Sequence, residues 1–255
     1  GSRVPEAGSE PPSAMLAAEL GGRVRAAFTR RTAVGHHPGA SLGDHAGANL
    51  AQHVGDDPEH VAVNRGHLAA WAGAPVVFGR QVHGVRAVQV DLATAPSDPL
   101  RHDLAEPSSA TGSVPAGSVP AGSGAGGPED GCDALVTVGD DLALGVLVAD
   151  CVPVLLADPL AGVVAVAHAG RVGLLDGVLD AVLQAMRDAG ADLARVGVAL
   201  GPSAGGCCYE VPEAMFRDAV ARIPALAART TWGSTALDLR AGCRALLAGR
   251  VARVS

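Results

Sequence analysis

The chain has no lysine; all 19 of its basic residues are arginine. In an Ala-, Gly- and Val-rich composition, that absence points to a GC-rich genome rather than to a mechanism. Aromatic residues fill only 2% of the 255 positions, so the core must be built from Ala, Val and Leu. Apolar residues make up 48% and mean hydropathy is +0.27, enough for a sizeable core. A basic surplus is missing as well. The formal net charge is -7, whereas a nucleic-acid-binding face is normally basic. Small anions stay admissible, because one or two arginines hold a phosphate. Long apolar runs are interrupted by Asp150 and Asp158, so no membrane-spanning helix is expected. Five cysteines at irregular spacing make no disulfide framework, and reduced thiols in a cytoplasm are expected.

The opening GSRVPEAGSEPPSAM has no apolar segment of the signal-peptide kind. Residues 1–15 are expected to form a disordered tail or tag, and 16–255 one domain. Within 93–130 lies SVPAGSVPAGSGAGGPED, a Pro/Gly/Ser-rich repeat that cannot bury a core. It is expected to be a flexible insertion, which adds little loop-closure cost. Alternation predicts a strand over 23–29 and one bent strand or two across APVVFGRQVHGVRAVQV. DALVTV, LALGVLVA, VPVLLAD, GVVAVAHA and RVGVALG predict further strands. A helix is predicted over 58–70, with Asp57 as N-cap and Pro58 at the first helical position. A single amphipathic helix is predicted for GLLDGVLDAVLQAMRDAG, stopping at Gly190. Two more follow at PEAMFRDAVARI and LDLRAGCRALLAG. The Gly- and His-rich stretch after Arg31 reads as a long loop. These elements make an α/β (α+β) domain with a mixed sheet.

LGVLVADCVPVLLADPLAGVVAVAHAG is almost wholly apolar, yet it carries Asp150, Cys151 and His168. Buried polar groups cost free energy unless paired. Cys151 and His168 are separated by a strand, an ADPLAG turn and a second strand, the spacing of neighbouring strand ends. His83, in RQVHG, ends another strand. Two imidazoles and a thiolate suit a catalytic zinc with one open position, which activates water. Plainer readings stand beside this one. Cys151 is a small hydrophobe, each His a satisfied polar residue, or Cys151 and His168 a nucleophile–base pair. Asp150 either orients a ligand or points away from Cys151. GPSAGGCCYEV is a Gly-rich turn that suits an anion before a helix. Its Cys207–Cys208 pair lacks the gap of a redox or zinc motif, so at least one of the two is expected to pack inward. Arg30 and Arg31 either meet phosphate or are solvated. The other histidines, mostly between His36 and His67, read as surface residues.

FTRR, GANLAQHVGDDPEHVAVNR, RQVHG, CDALVT, VADCVPVLLADP, AVAHAG and GPSAGGCCYEV occur in this order. Together they resemble the multicopper polyphenol oxidoreductases, or laccase-domain (YfiH-like) proteins, reassigned as purine-nucleoside enzymes. The resemblance spans roughly 23–247 apart from the insertion. It implies a YfiH-like fold, one domain with a central mixed sheet flanked by helices. It implies zinc held by His83, Cys151 and His168, with catalysis there. The implied reactions are phosphorolysis of adenosine, inosine, guanosine or methylthioadenosine, and deamination of adenosine. Arg30, Asn49, Gln81 and Glu210 match polar positions of the family motifs and are implied substrate contacts. The expected partners are purine nucleoside and phosphate, in a cytoplasmic monomer or small homo-oligomer. Alternatives are a copper polyphenol oxidoreductase, a hydrolase editing peptidoglycan precursors, and an inactive nucleoside-binding module. Two departures bear on activity. HAGRVG places Arg171 and Val172 where the family has Trp and Arg, and the chain stops at GRVARVS before the family's Arg-rich segment.

Overall fold

The two most apolar runs of the chain, Val152–Asp158 and Val163–Ala169, are buried along almost their whole length. Strands covered on both faces belong in the middle of a sheet. That is where a computed structural model places them. It describes residues 15–34, 37–95 and 131–255. The predicted tail, up to residue 14, and the insertion from 96 to 130 lie outside the described residues.

The first strands are β1 (Met15–Ala17), β2 (Ala27–Thr29), β3 (Ala33–Val34), β4 (His37–Pro38), β5 (Val76–Phe78) and β6 (Ala87–Gln89). Next come β7 (Ala134–Val138), β8 (Ala143–Gly145), β9 (Val152–Asp158), β10 (Val163–Ala169) and β11 (Gly197–Leu200). The last are β12 (Ala227–Arg229), β13 (Thr235–Leu237) and β14 (Arg253–Val254). Helices are α1 (Pro58–Ala72), α2 (Arg171–Asp176), α3 (Val178–Asp188), α4 (Glu213–Arg222) and α5 (Leu239–Leu247). The central six-stranded sheet runs β14-β11-β9-β10-β7-β6. Its four inner strands are antiparallel, while β6 and β14 join the edges in parallel. The fold is therefore mixed α/β, as the element pattern implies.

Strand alternation sorts the core. Val152, Val154, Leu156, Ala165 and Ala167 pack with Leu174, the α3 residues Leu179, Val182, Leu183 and Met186, and Cys243 and Leu247 of α5. Leu135 and Val166 face the other way, toward Val77, Val90 and Leu142. No helix among the described residues is long and apolar enough to cross a membrane.

Three local expectations change. The predicted single helix over 173–190 is two helices, α2 and α3. Gly177 adopts φ 104° as C-cap of one and N-cap of the other, a conformation glycine takes without a Cβ penalty. The LALGVLVA strand shrinks to β8, because the Gln81 amide takes both backbone groups of Leu147, each at 2.7 Å. Those two bonds take the place of a strand partner, and residues 146–150 continue without strand structure. Of the two readings of APVVFGRQVHGVRAVQV the two-strand one holds, with β5 against β8 and β6 against β7 in different sheets. The predicted 23–29 strand forms only over β2. Asp57 and Pro58 start α1 as expected, with the Asp57 side chain accepting from the Glu59 amide. Two buried polar residues of α1 organise the loop before it. Asn64 bonds Ala40, Ser41, Gly47 and Asn49, and Arg65 Nε donates to the Leu50 carbonyl.

Candidate metal centre

β9 and β10 pair with Ala169 opposite Val152 and His168 opposite Pro153. Cys151, just before β9, therefore stands beside the exit of β10. The loop between β5 and β6 brings His83 to the same point. One ligand atom from each of His83, Cys151 and His168 lies within 4.8 Å of the other two. Cys151 Sγ and His83 Nε2 are 3.9 Å apart. A nitrogen and a sulfur on one tetrahedral zinc stand about 3.6 Å apart, so the set needs only small closure. The two imidazoles meet edge to face at 73°. Gly170 leaves the space free, since a Cβ there would lie 2.9 Å from His83 Cδ2 and 3.1 Å from Cys151 Sγ.

Behind this trio sits Asp133, 1% exposed. Its carboxylate accepts the backbone amides of Val82, His83 and Gly84 at 3.1, 2.9 and 2.7 Å. The same carboxylate accepts His168 Nδ1 at 2.7 Å. One buried acid thus fixes both the loop that carries His83 and the ring of His168. His83 needs that support, because its φ is +59°, in the left-handed region that costs a non-glycine residue roughly 1 kcal/mol. With Nδ1 committed to Asp133, His168 presents Nε2 to the cluster, the carboxylate–histidine arrangement common behind zinc. Burial works against a charged His168, but hydrogen bonds to Asp133 and Cys151 outweigh it and hold the ring up at about 9. Burial and the neighbouring His168 push His83 down, against the pull of Asp133.

Sequence reasoning missed Asp133. Its signal was an acid heading an apolar strand, directly after buried Cys132, where a carboxylate must find partners. Asp150, which drew attention instead, is exposed, and its carbonyl accepts the Ala204 amide at 2.9 Å.

Arg30, Asn49 and Gln81 line an open cleft together with His83, Cys151 and His168. Exposed Arg30 has no hydrogen-bond partner for its guanidinium among the described residues. Arg31 instead clasps the carbonyls of Asp44 and Ala46. Asn49 bonds Ala51 and Asp56, and both ends of the Gln81 amide are engaged by Leu147. Glu210 is outside this lining; it accepts the Trp232 indole at 2.8 Å. Arg171 opens α2 next to Gly170 and Val172 is half-buried; neither lines the cleft. The expectation that one of Cys207 and Cys208 packs inward fails. Both are exposed, because Gly206 is the buried member of their turn.

The model of a family described as multi-copper polyphenol oxidoreductase laccase matches residues 25–252. The chain belongs to this family. Within the laccase family's relatives, a purine nucleoside phosphorylase of Corynebacterium glutamicum is 41% identical over 222 residues, 86% of this chain and 76% of that protein. One from Streptomyces coelicolor is 42% identical over 196 residues, 76% of this chain and 69% of that one. An adenosine deaminase from an unknown prokaryotic organism is 39% identical over 128 residues, 46% of this chain and 47% of that one. Among solved structures, a Neisseria meningitidis protein superposes with a TM-score of 0.71 at 27% identity, covering 95% of this chain and 86% of that one.

Proposed function

We propose that this laccase-family chain is a metal-dependent enzyme that cleaves purine nucleosides with phosphate, with zinc held by His83, Cys151 and His168. The observation that carries the reading is the convergence of those three donors on the wall of an open cleft. The relatives named purine nucleoside phosphorylase supply the substrate class. The donor chemistry fits zinc or copper, since imidazole and thiolate suit both. Multicopper oxidation needs several clustered sets, and among the described residues one such group is found. Zinc is therefore preferred.

A zinc ion bound there supplies Lewis acidity toward water or a substrate oxygen. The chain's own residues do the rest. Asp133 holds the His168 ring and the His83 loop, so two donors are set before any ligand arrives. Exposed Arg30 offers a guanidinium along the cleft, suited to a phosphate. Gln81 and Asn49 shape the cleft wall, because their amides are already spent, that of Gln81 on the Leu147 backbone and that of Asn49 on Ala51 and the Asp56 carboxylate. Glu210 accepts the Trp232 indole outside the cleft lining.

Hydrolytic deamination of adenosine at the same centre is the second reading, favoured by the relative named adenosine deaminase. Incubating the zinc-loaded chain with adenosine and phosphate separates the two. Adenine and ribose 1-phosphate report phosphorolysis, and inosine reports deamination. A chelator should abolish both, whereas a Cys151 nucleophile would keep working without metal. Full zinc occupancy with no product of either kind would overturn the assignment. Metal analysis that finds copper in purified protein would reverse the choice of ion.

A further inference from the structure

Cys207 and Cys208 are adjacent in sequence and both exposed, with Sγ atoms 3.6 Å apart. Exposed thiols do not serve packing, and the metal centre uses a different cysteine. The backbone that carries them is held on several sides. Gly205 O accepts the Cys208 and Tyr209 amides at 3.1 and 3.0 Å, and Cys207 O accepts the Thr231 amide at 3.0 Å. Gly206 is buried, and a Cβ there would meet Ala228 Cβ at 2.7 Å. The two sulfurs are thus presented outward from a fixed turn.

Their spacing selects the chemistry. A trivalent metalloid is pyramidal and holds two sulfurs at somewhat more than a right angle, so their separation falls a little short of the about 3.8 Å of a tetrahedral centre, close to the spacing of this pair. A disulfide would need them to close to about 2 Å. Proton affinity points the same way. The hydrogen bond and charge of Cys208 push the Cys207 thiol up, so two free thiolates side by side are disfavoured. A single acceptor bonded to both sulfurs removes that repulsion.

We propose that Cys207 and Cys208 form a surface dithiol site for a thiophilic metalloid in the trivalent state, bridged across both sulfurs. With an organoarsenic oxide the reaction balances without redox change. The As=O bond and two S–H bonds break, two As–S bonds form, and the oxygen leaves as one water carrying both thiol protons. Cys132 and Cys243 are buried, and Cys151 is a single half-buried thiol, so none of them offers this chelate.

Phenylarsine oxide on the full folded chain is the test. One phenylarsenic adduct should persist through a wash in excess monothiol and be released by a dithiol. Cleavage after Arg195 and Arg217 frees a peptide whose cysteines are Cys207 and Cys208, and the adduct should map there. Cys207→Ser and Cys208→Ser should each lose the wash-resistant adduct, and Cys151→Ser should keep it. The unchanged chain supplies the mapping even if a variant folds poorly. No wash-resistant adduct on the unchanged chain, its persistence in either single variant, or its loss in Cys151→Ser would overturn the assignment.

Discussion

Asp133 serves four donors with one carboxylate, and two of them belong to His83 and His168 directly. In Asp133→Asn one oxygen becomes a donor, so backbone amides of the 82–84 loop lose their acceptor and His168 loses its anionic partner. Loss of such an outer carboxylate typically weakens metal binding about 10- to 100-fold. Competition against a chromophoric chelator should show that drop; unchanged affinity would mean Asp133 plays no part in holding the ligands. Gly170 gives a complementary test. Its φ is -75°, so alanine fits the backbone, but the new Cβ would press on His83 Cδ2 and Cys151 Sγ. Because His83 is exposed, its ring can swing outward at little cost to the fold. Gly170→Ala should therefore bind zinc at least tenfold more weakly, since about 1.4 kcal/mol of crowding suffices, while the metal-free melting temperature holds. A falling melting temperature with intact zinc binding would contradict this geometry. At this scale the sequence was half legible. Cys151 and His168 stood out as polar groups in an apolar run. Asp133 did not, because its partners lie 35 and about 50 positions away.

Strand and helix identity followed from local pattern, and boundaries failed where a distant side chain competed for the backbone. β9 and β10 are long apolar runs with few alternatives, and they form as read. β8 was overread because nothing near Leu147 announces that Gln81, 66 positions earlier, takes both its backbone groups. The α2–α3 break did have a local sign in Gly177, masked by apolar spacing that continues through it. Asp158 ties the end of β9 to its surroundings in the same long-range way. Its carboxylate accepts the amides of Leu160, Ala161 and Asp192 and a two-point contact from Arg195. Burial opposes the charge, but these donors prevail and hold the carboxyl at about 2, against an ordinary 3.8. The charged form is favoured by folding, so this stabilisation is complete above the ordinary value and is lost as pH falls toward 2. Its size is at most about 2 kcal/mol, because Arg195 is partly exposed to solvent. Asp158→Asn should lower stability in urea melts by up to that amount at neutral pH. Between about pH 4 and pH 2 its stability should fall less steeply than that of the unchanged chain. Parallel acid limbs would show that the charge on Asp158 contributes nothing.

Across the whole molecule, the candidate metal centre gathers side chains from widely separated parts of the chain. His83 rides the loop between β5 and β6, His168 sits on the inner strand β10, and Cys151 stands just before its neighbour β9. The family was legible from seven ordered motifs, because identity is distributed along the chain. The lining of the cleft was less so. A motif position says that a polar group is present, and only the fold says whether that group is spent, as for Gln81, or without a partner among the described residues, as for the Arg30 guanidinium. A ligand that binds only the folded state stabilises it by mass action, by about 2.7 kcal/mol at 100 times its dissociation constant. For a chain of this size each kcal/mol moves the melting temperature by about 2–4 °C, so zinc in that excess should raise it by about 5–10 °C. The gain should vanish with chelator, and in Cys151→Ser or His83→Ala, neither of which removes core packing. Zinc that shifts the variants as much as the unchanged chain would be binding elsewhere. Zinc that shifts none of them would leave these three side chains neighbours without being ligands.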